Sequence, residues 1–160
     1  PRVFSYGHRN PQGLIYDKAS DRILMLEHGP KGGDELNHIV AGRNYGWPAI
    51  TYGVDYSGAV ISPFTEAEGM EQPLTYWVPS IGPSGLAIYR GELFPDWQGD
   101  LLLGSLINEE MRRLKFDGNA VVEDEAIFPE IKGRVRDVRV IEDGKIVAVT
   151  EEGDVFQVTR

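Results

Sequence analysis

The sequence contains no cysteine, which excludes a disulfide framework and a thiolate metal centre. Histidine is scarce as well, and His8, His28 and His38 form no His-Glu-x-x-His spacing of the zinc-hydrolase kind. Gly-x-Ser-x-Gly does not occur, so the strand-turn-helix nucleophile is missing. No apolar run reaches 18 residues, the length that signals a membrane span. Positive charge is in deficit: 16 Lys and Arg stand against 25 Asp and Glu, for a net charge of -9. That balance argues against a nucleic-acid partner, whose phosphates need a basic stripe. The sequence starts at Pro1 without a leader pattern, and the expectation is that processing or truncation removed a preceding segment.

What the chain does have is turns and short strands. Its 160 residues include 19 Gly and 10 Pro at an ordinary 41% hydrophobic content, which predicts one globular domain over 1–160. β-type periodicity picks out three trios of segments: 13–16, 23–27 and 36–40; 84–89, 100–106 and 111–116; 137–141, 145–150 and 155–159. Asp117-Gly118-Asn119 and Asp143-Gly144 are hairpin turn signals. No amphipathic helix stands out. An all-β unit repeated in this way fits the blades of a β-propeller, with a β-sandwich as the competing architecture.

Blade geometry places the segment before the first strand beside the segment after the second. The paired segments are 7–12 with 27–35, 77–83 with 105–110, and 132–136 with 150–153. The polar motifs lie in these segments, where a ligand is expected.

Arg9 and Asn10, stiffened by Pro11, offer a guanidinium fork and an amide. Arg134 and Arg136 are two apart on an extended segment and point the same way. Three such forks suit a ligand with several carboxylates; the competing reading pairs them with Asp137, Glu27 or Asp34. Gly29-Pro30 supplies carbonyl oxygens, with Asp34, Glu35 and Asp55 as hard anionic oxygens. An oxygen-only set selects calcium or magnesium, unless Pro30 to Asp34 is simply a turn. Tyr45, Trp47, Tyr76 and Trp77 suit either stacking on a flat ligand or sugar, or the core.

The succession Gly7-His8-Arg9-Asn10-Pro11-Gln12-Gly13, Glu27-His28-Gly29-Pro30, Gly32-Gly33-Asp34-Glu35, Asn44-Tyr45-Gly46-Trp47-Pro48 and Gly133-Arg134-Val135-Arg136-Asp137-Val138 resembles the soluble PQQ-dependent aldose sugar dehydrogenases of the glucose/sorbosone dehydrogenase family. The resemblance covers essentially the whole chain. It implies a six-bladed β-propeller, of which this chain would supply about three blades as the C-terminal portion, with pyrroloquinoline quinone (PQQ) over the central channel. It implies oxidation of the anomeric carbon of an aldose, by hydride transfer to a calcium-bound quinone.

By the same resemblance Arg9 and Asn10 contact the quinone oxygens, with Arg9 stabilising charge. Gly29 and Pro30 hold calcium through their carbonyls, and Arg134 and Arg136 bind the cofactor carboxylates. Trp77 and Ser80 flank cofactor and sugar. Glu35 and Tyr45 match a further calcium site, and Asp55 another. Two departures are visible. The family's catalytic histidine lies upstream of the Arg-Asn motif and is not in this chain, and a cofactor-contacting lysine falls near Ile107 or Asn108, where there is none.

The resemblance further implies a periplasmic or secreted protein and an external electron acceptor. The partial ring implies a partner: the missing N-terminal half of the propeller, or a second copy. A calcium-dependent propeller lactonase and a non-catalytic carbohydrate- or protein-binding propeller are the competing functions.

Overall fold

Eleven β-strands carry almost all the regular structure of the described residues, 2–159, in a computed structural model. Two single 3-10 turns, Pro95–Trp97 and Glu142–Gly144, are the only helical elements among those residues. None of the described helices is long and apolar enough to cross a membrane. The chain forms two compact units, one ending at Ile81 and one beginning at Gly82.

The first unit holds one antiparallel sheet in the order β1 (Pro11–Asp17), β2 (Arg22–Glu27), β3 (Asp34–Ile39), β4 (Thr75–Trp77). The β1–β2 turn closes because the Asp17 carboxylate accepts from the Ala19 amide at 3.1 Å, the local side-chain turn that Asp favours. Strand β2 is buried on both faces. Leu24 and Leu26 point one way, while Met25 packs with Ile39 and Tyr45 on the other.

The second unit holds two antiparallel sheets. One runs β5 (Pro83–Ile88), β6 (Leu101–Ser105), β7 (Glu110–Asp117), β8 (Ala120–Ile127). The other consists of β9 (Val135–Val140), β10 (Ile146–Thr150) and β11 (Val155–Val158), with β10 central. Their shared core contains Tyr89, Leu102, Met111, Val138 and Ile146. Glycine lets the sheets approach. A Cβ on Gly104 would lie 2.5 Å from Ser84 Oγ and 2.7 Å from the Val135 carbonyl oxygen, and Ser84 Oγ already donates to that carbonyl at 2.6 Å.

Nine strands coincide with the predicted segments to within a few residues; β4 and β8 were not predicted. Strand β8 reads as a solvated acidic stretch, yet its carboxylates meet the basic side chains of β7: Asp124 with Arg112 at 2.7 Å, Glu123 with Lys115 at 2.9 Å and Glu125 with Arg113 at 3.2 Å. Strand β4 has only three residues, too few to show a period.

In each sheet taken by itself, the segment entering the first strand touches the one leaving the second, as blade geometry requires. The His28 amide donates to Asn10 O, the Leu106 amide to Gly82 O and the Glu151 amide to Arg134 O, each at 2.9 Å.

Candidate functional site

Arg9 is held at both ends by the three residues that close β2. Its backbone amide donates to Glu27 Oε2 at 2.7 Å, and its guanidinium donates to His28 O at 3.1 Å and Gly29 O at 2.6 Å. The guanidinium also lies 5.3 Å from the centroid of the Trp47 ring. Of the candidate partners for Arg9, only Glu27 is met, and by the backbone amide rather than the fork.

Glu27 is 4% exposed and sits directly opposite Glu35 in the β2–β3 register. Like charges in that position repel. Asn37, two residues beyond Glu35 on the same face, bridges them: its Nδ2 donates to Glu27 Oε1 at 2.9 Å and to Glu35 Oε2 at 3.1 Å. His8 Nδ1 donates to Glu27 Oε1 at 3.1 Å, and its ring stacks on Tyr45 with centroids 4.6 Å apart. The Glu35 carboxyl is pushed up to about 7, chiefly by burial, with the charges of Glu27 and Asp34 adding and the Asn37 bond and His8 opposing.

A cavity of about 20 Å³ is lined in part by Arg9, Glu27, Gly29, Glu35, Tyr45 and Trp47, room for one water- or ion-sized guest. The loop beside it is built on Asp34. This buried carboxylate accepts from the Gly29 amide at 3.0 Å, from Ser80 Oγ at 3.1 Å and from the Ile81 amide at 2.9 Å. A Cβ on Gly29 would fall 2.3 Å from both the Gly32 and Gly33 carbonyl oxygens, so only glycine permits this loop to fold back on itself.

Among the described residues no three acidic, His or Cys side chains gather as a metal cage. A cation here would therefore draw on backbone oxygens, and the local chemistry fits one. The carbonyls of His28 and Gly29 already converge on the positive charge of Arg9, and Asn37 Oδ1 is buried without a hydrogen-bond partner.

The other sequence-predicted residues are placed as follows. Asn10 is exposed, its Oδ1 accepting from Gln12 Nε2 at 3.0 Å. Pro30 is buried beside Gly29. The Tyr45 hydroxyl is turned away from the cavity to β3, where it donates to His38 O and accepts from the Val40 amide at 2.9 Å. Trp77 is buried in β4 opposite Asp34, and Ser80 Oγ accepts from the Gly32 amide at 3.0 Å while it donates to Asp34. Asp55 lies on an exposed turn, where its Oδ1 accepts from the Ser57 amide at 2.9 Å and hydroxyl at 2.6 Å. This pulls its carboxyl below the usual range.

In the second unit Arg134 and Arg136 do point the same way, and both meet Glu151, at 3.0 and 3.2 Å. Asp137, the partner weighed from the sequence, pairs with Arg139 instead. Arg134 Nε also donates to Leu106 O at 3.2 Å, tying the fork to the segment that holds Ile107 and Asn108. Asn37 and Glu151 are the polar residues that sequence reasoning did not single out, and Glu27 was weighed only as an ion-pair partner.

Antiparallel sheets of three and four strands, each with polar loops at its strand ends, define a protein of the β-propeller class. The sequence profile described as Glucose / Sorbosone dehydrogenase matches residues 1–157, and the chain belongs to that family. It is 41% identical over 162 residues to the aldose sugar dehydrogenase YliI of Escherichia coli K12, covering 98% of this chain and 43% of that protein. A crystal structure of a glucose dehydrogenase superposes with a TM-score of 0.91 at 45% identity, over 98% of this chain and 46% of the other. The PQQ-bound form of an aldose sugar dehydrogenase from Streptomyces coelicolor gives 0.72 at 30%, over 98% and 45%. The fold class is thus the expected one, all-β, with about three blades of a six-bladed β-propeller. The chain spans less than half the length of these relatives.

Proposed function

We propose that this chain is part of a PQQ- and calcium-dependent aldose sugar dehydrogenase, an oxidoreductase that acts on the anomeric carbon of a sugar. One observation carries the reading: the Arg9 guanidinium is fixed at a cluster of backbone carbonyls beside an ion-sized cavity, with its own main chain clamped by a buried carboxylate. Family membership and the PQQ-bound relative support it.

PQQ bound with calcium supplies the two-electron acceptor for hydride in this chemistry. Arg9 would hold its positive charge toward the bound cofactor, a preorganised stabilisation that needs no rearrangement during reaction. Asn10 presents an amide beside it. Gly29 and Pro30 offer carbonyl oxygens of the hard type that calcium takes, while Glu35, Tyr45 and Asp55 stand for further calcium sites. Arg134 and Arg136 present two forks to carboxylates, in exchange for Glu151. Trp77 and Ser80 shape the loop that Asp34 anchors. The base that takes the sugar's proton is assigned to the upstream part of the propeller, and electrons leave to an external acceptor in a periplasmic or secreted setting.

The test is reconstitution of the full-length protein. Addition of PQQ and calcium yields aldose-dependent dye reduction; absence of turnover with both added overturns the reading.

A further inference from the structure

We propose that Glu27 is a positioning residue, which fixes the orientation of Arg9 and the tautomer of His8 without itself touching cofactor or sugar. The inference rests on the reading of Arg9 as a cofactor-binding residue. Glu27 stands at the end of β2, and its two oxygens accept three hydrogen bonds from two other parts of the chain: Arg9 N–H and His8 Nδ1 in the segment before β1, and Asn37 Nδ2 on β3. A buried carboxylate survives ionised only when satisfied in this way. The clasp is completed by the next two residues, whose carbonyls take the Arg9 guanidinium. One end of Arg9 is therefore held by the Glu27 side chain and the other by the main chain that immediately follows it. A shift of Glu27 moves both anchors.

The same carboxylate dictates the state of His8. A carboxylate oxygen accepts, so its bond to His8 calls for a proton on Nδ1, and Nε2 then faces Ser5 Oγ at 2.9 Å. Ser5, His8 and Glu27 thus form an ordered chain that ends on the Arg9 amide. A glutamine at 27 keeps the size, and its carbonyl can still take the Arg9 amide. Its NH2 group, however, confronts two donors, Asn37 Nδ2 and His8 Nδ1, and the His8 conflict is relieved when the ring carries its proton on Nε2, which then donates to Ser5 Oγ.

The experiment compares wild type, Glu27→Gln and Glu27→Asp in the full-length protein. In the cofactor-free state, nitrogen-15 spectra of the His8 ring are expected to show the Nδ1–H tautomer in wild type and the Nε2–H tautomer in Glu27→Gln. At saturating calcium, PQQ affinity is expected to fall tenfold or more in Glu27→Gln, with kcat reduced at full cofactor loading and the aldose KM unchanged. A purely structural role would leave kcat per bound cofactor untouched. Equal PQQ affinity in a folded Glu27→Gln variant with the His8 tautomer unmoved overturns the proposal. Should that variant fail to fold, Glu27→Asp decides, because a carboxylate one methylene shorter cannot reach Arg9 and Asn37 together and must weaken PQQ in the same way. A wild type that binds no PQQ overturns the functional reading instead, and the tautomer result still decides what Glu27 does to His8.

Discussion

Glu27 and Glu35 face each other directly across the β2–β3 ladder, joined by the single amide group of Asn37. Glu27 is buried and Glu35 partly so, and the Glu35 carboxyl is pushed up to about 7, first by burial and then by the facing charge of Glu27.

The first prediction concerns pH. Glu35 has a folded-state value raised from 4.5 to about 7, so its contribution is fully present below 4.5 and is lost as pH climbs toward 7. In metal-free protein the stability of wild type relative to Glu35→Gln is expected to fall across that window, by on the order of 3 kcal/mol. Chemical denaturation at a series of pH values measures it, and a flat difference refutes it. Calcium at neutral pH is expected to raise the midpoint of wild type more than that of Glu35→Gln.

A second prediction concerns Asp34, which holds two amides and a hydroxyl in place. Asp34→Ala strands those donors in the interior, at about 1–3 kcal/mol for each amide left unpaired. The loop 29–33 is expected to loosen, which amide hydrogen exchange at Gly29 and Ile81 would register as lost protection.

Glu151 competes for the two forks of the second unit. Its pairs with Arg134 and Arg136 are roughly half exposed and contribute less than about 1 kcal/mol to stability. Glu151→Gln is therefore expected to leave the melting temperature nearly unchanged while it strengthens PQQ binding. Arg134→Ala or Arg136→Ala is expected to weaken binding roughly 10- to 100-fold, the worth of about 1.5–3 kcal/mol for a charge-assisted bond. Titration calorimetry separates the cases.

Gly104→Ala places a methyl group against the Val135 carbonyl and Ser84 Oγ, with backbone on one side that cannot yield. A loss of about 1–3 kcal/mol is expected from thermal unfolding.

Leu14 and Tyr16 project from β1 with 69% and 56% exposure, and Phe4 and Tyr6 are likewise bare. An uncovered apolar strand face seeks a partner. The 160-residue chain by itself is expected to associate in sedimentation experiments, and a well-folded monomer at high concentration would count against a partial ring.

Much of this molecule was legible in its sequence because blade strands are short, apolar and bracketed by glycine turns. Strand β8 was not, since three consecutive acidic residues, Glu123 to Glu125, read as solvent-facing until the basic residues of β7 are known to lie opposite. The site divides in the same way. Arg9, Gly29 and Glu35 sit in motifs that announce themselves. Glu27 and Asn37 become functional candidates only through strand register, which brings 27 opposite 35 and places 37 beside both. Register depends on the turn between β2 and β3, and no residue of either strand encodes it alone. Arg134 and Arg136 were read correctly as pointing together, but their common partner Glu151 comes from the next strand's far end.

The network from Ser5 through His8, Arg9, Glu27 and Glu35 to Asn37 is written in one unbroken stretch of chain. Its contacts join residues no more than 20 apart, and loops of that length cost only modest entropy to close. During synthesis this polar cluster can assemble as soon as β3 emerges, before Trp47 or Ser80 exists to brace it. Damage at Glu27 is therefore expected to show in the yield of folded protein, before any cofactor is added.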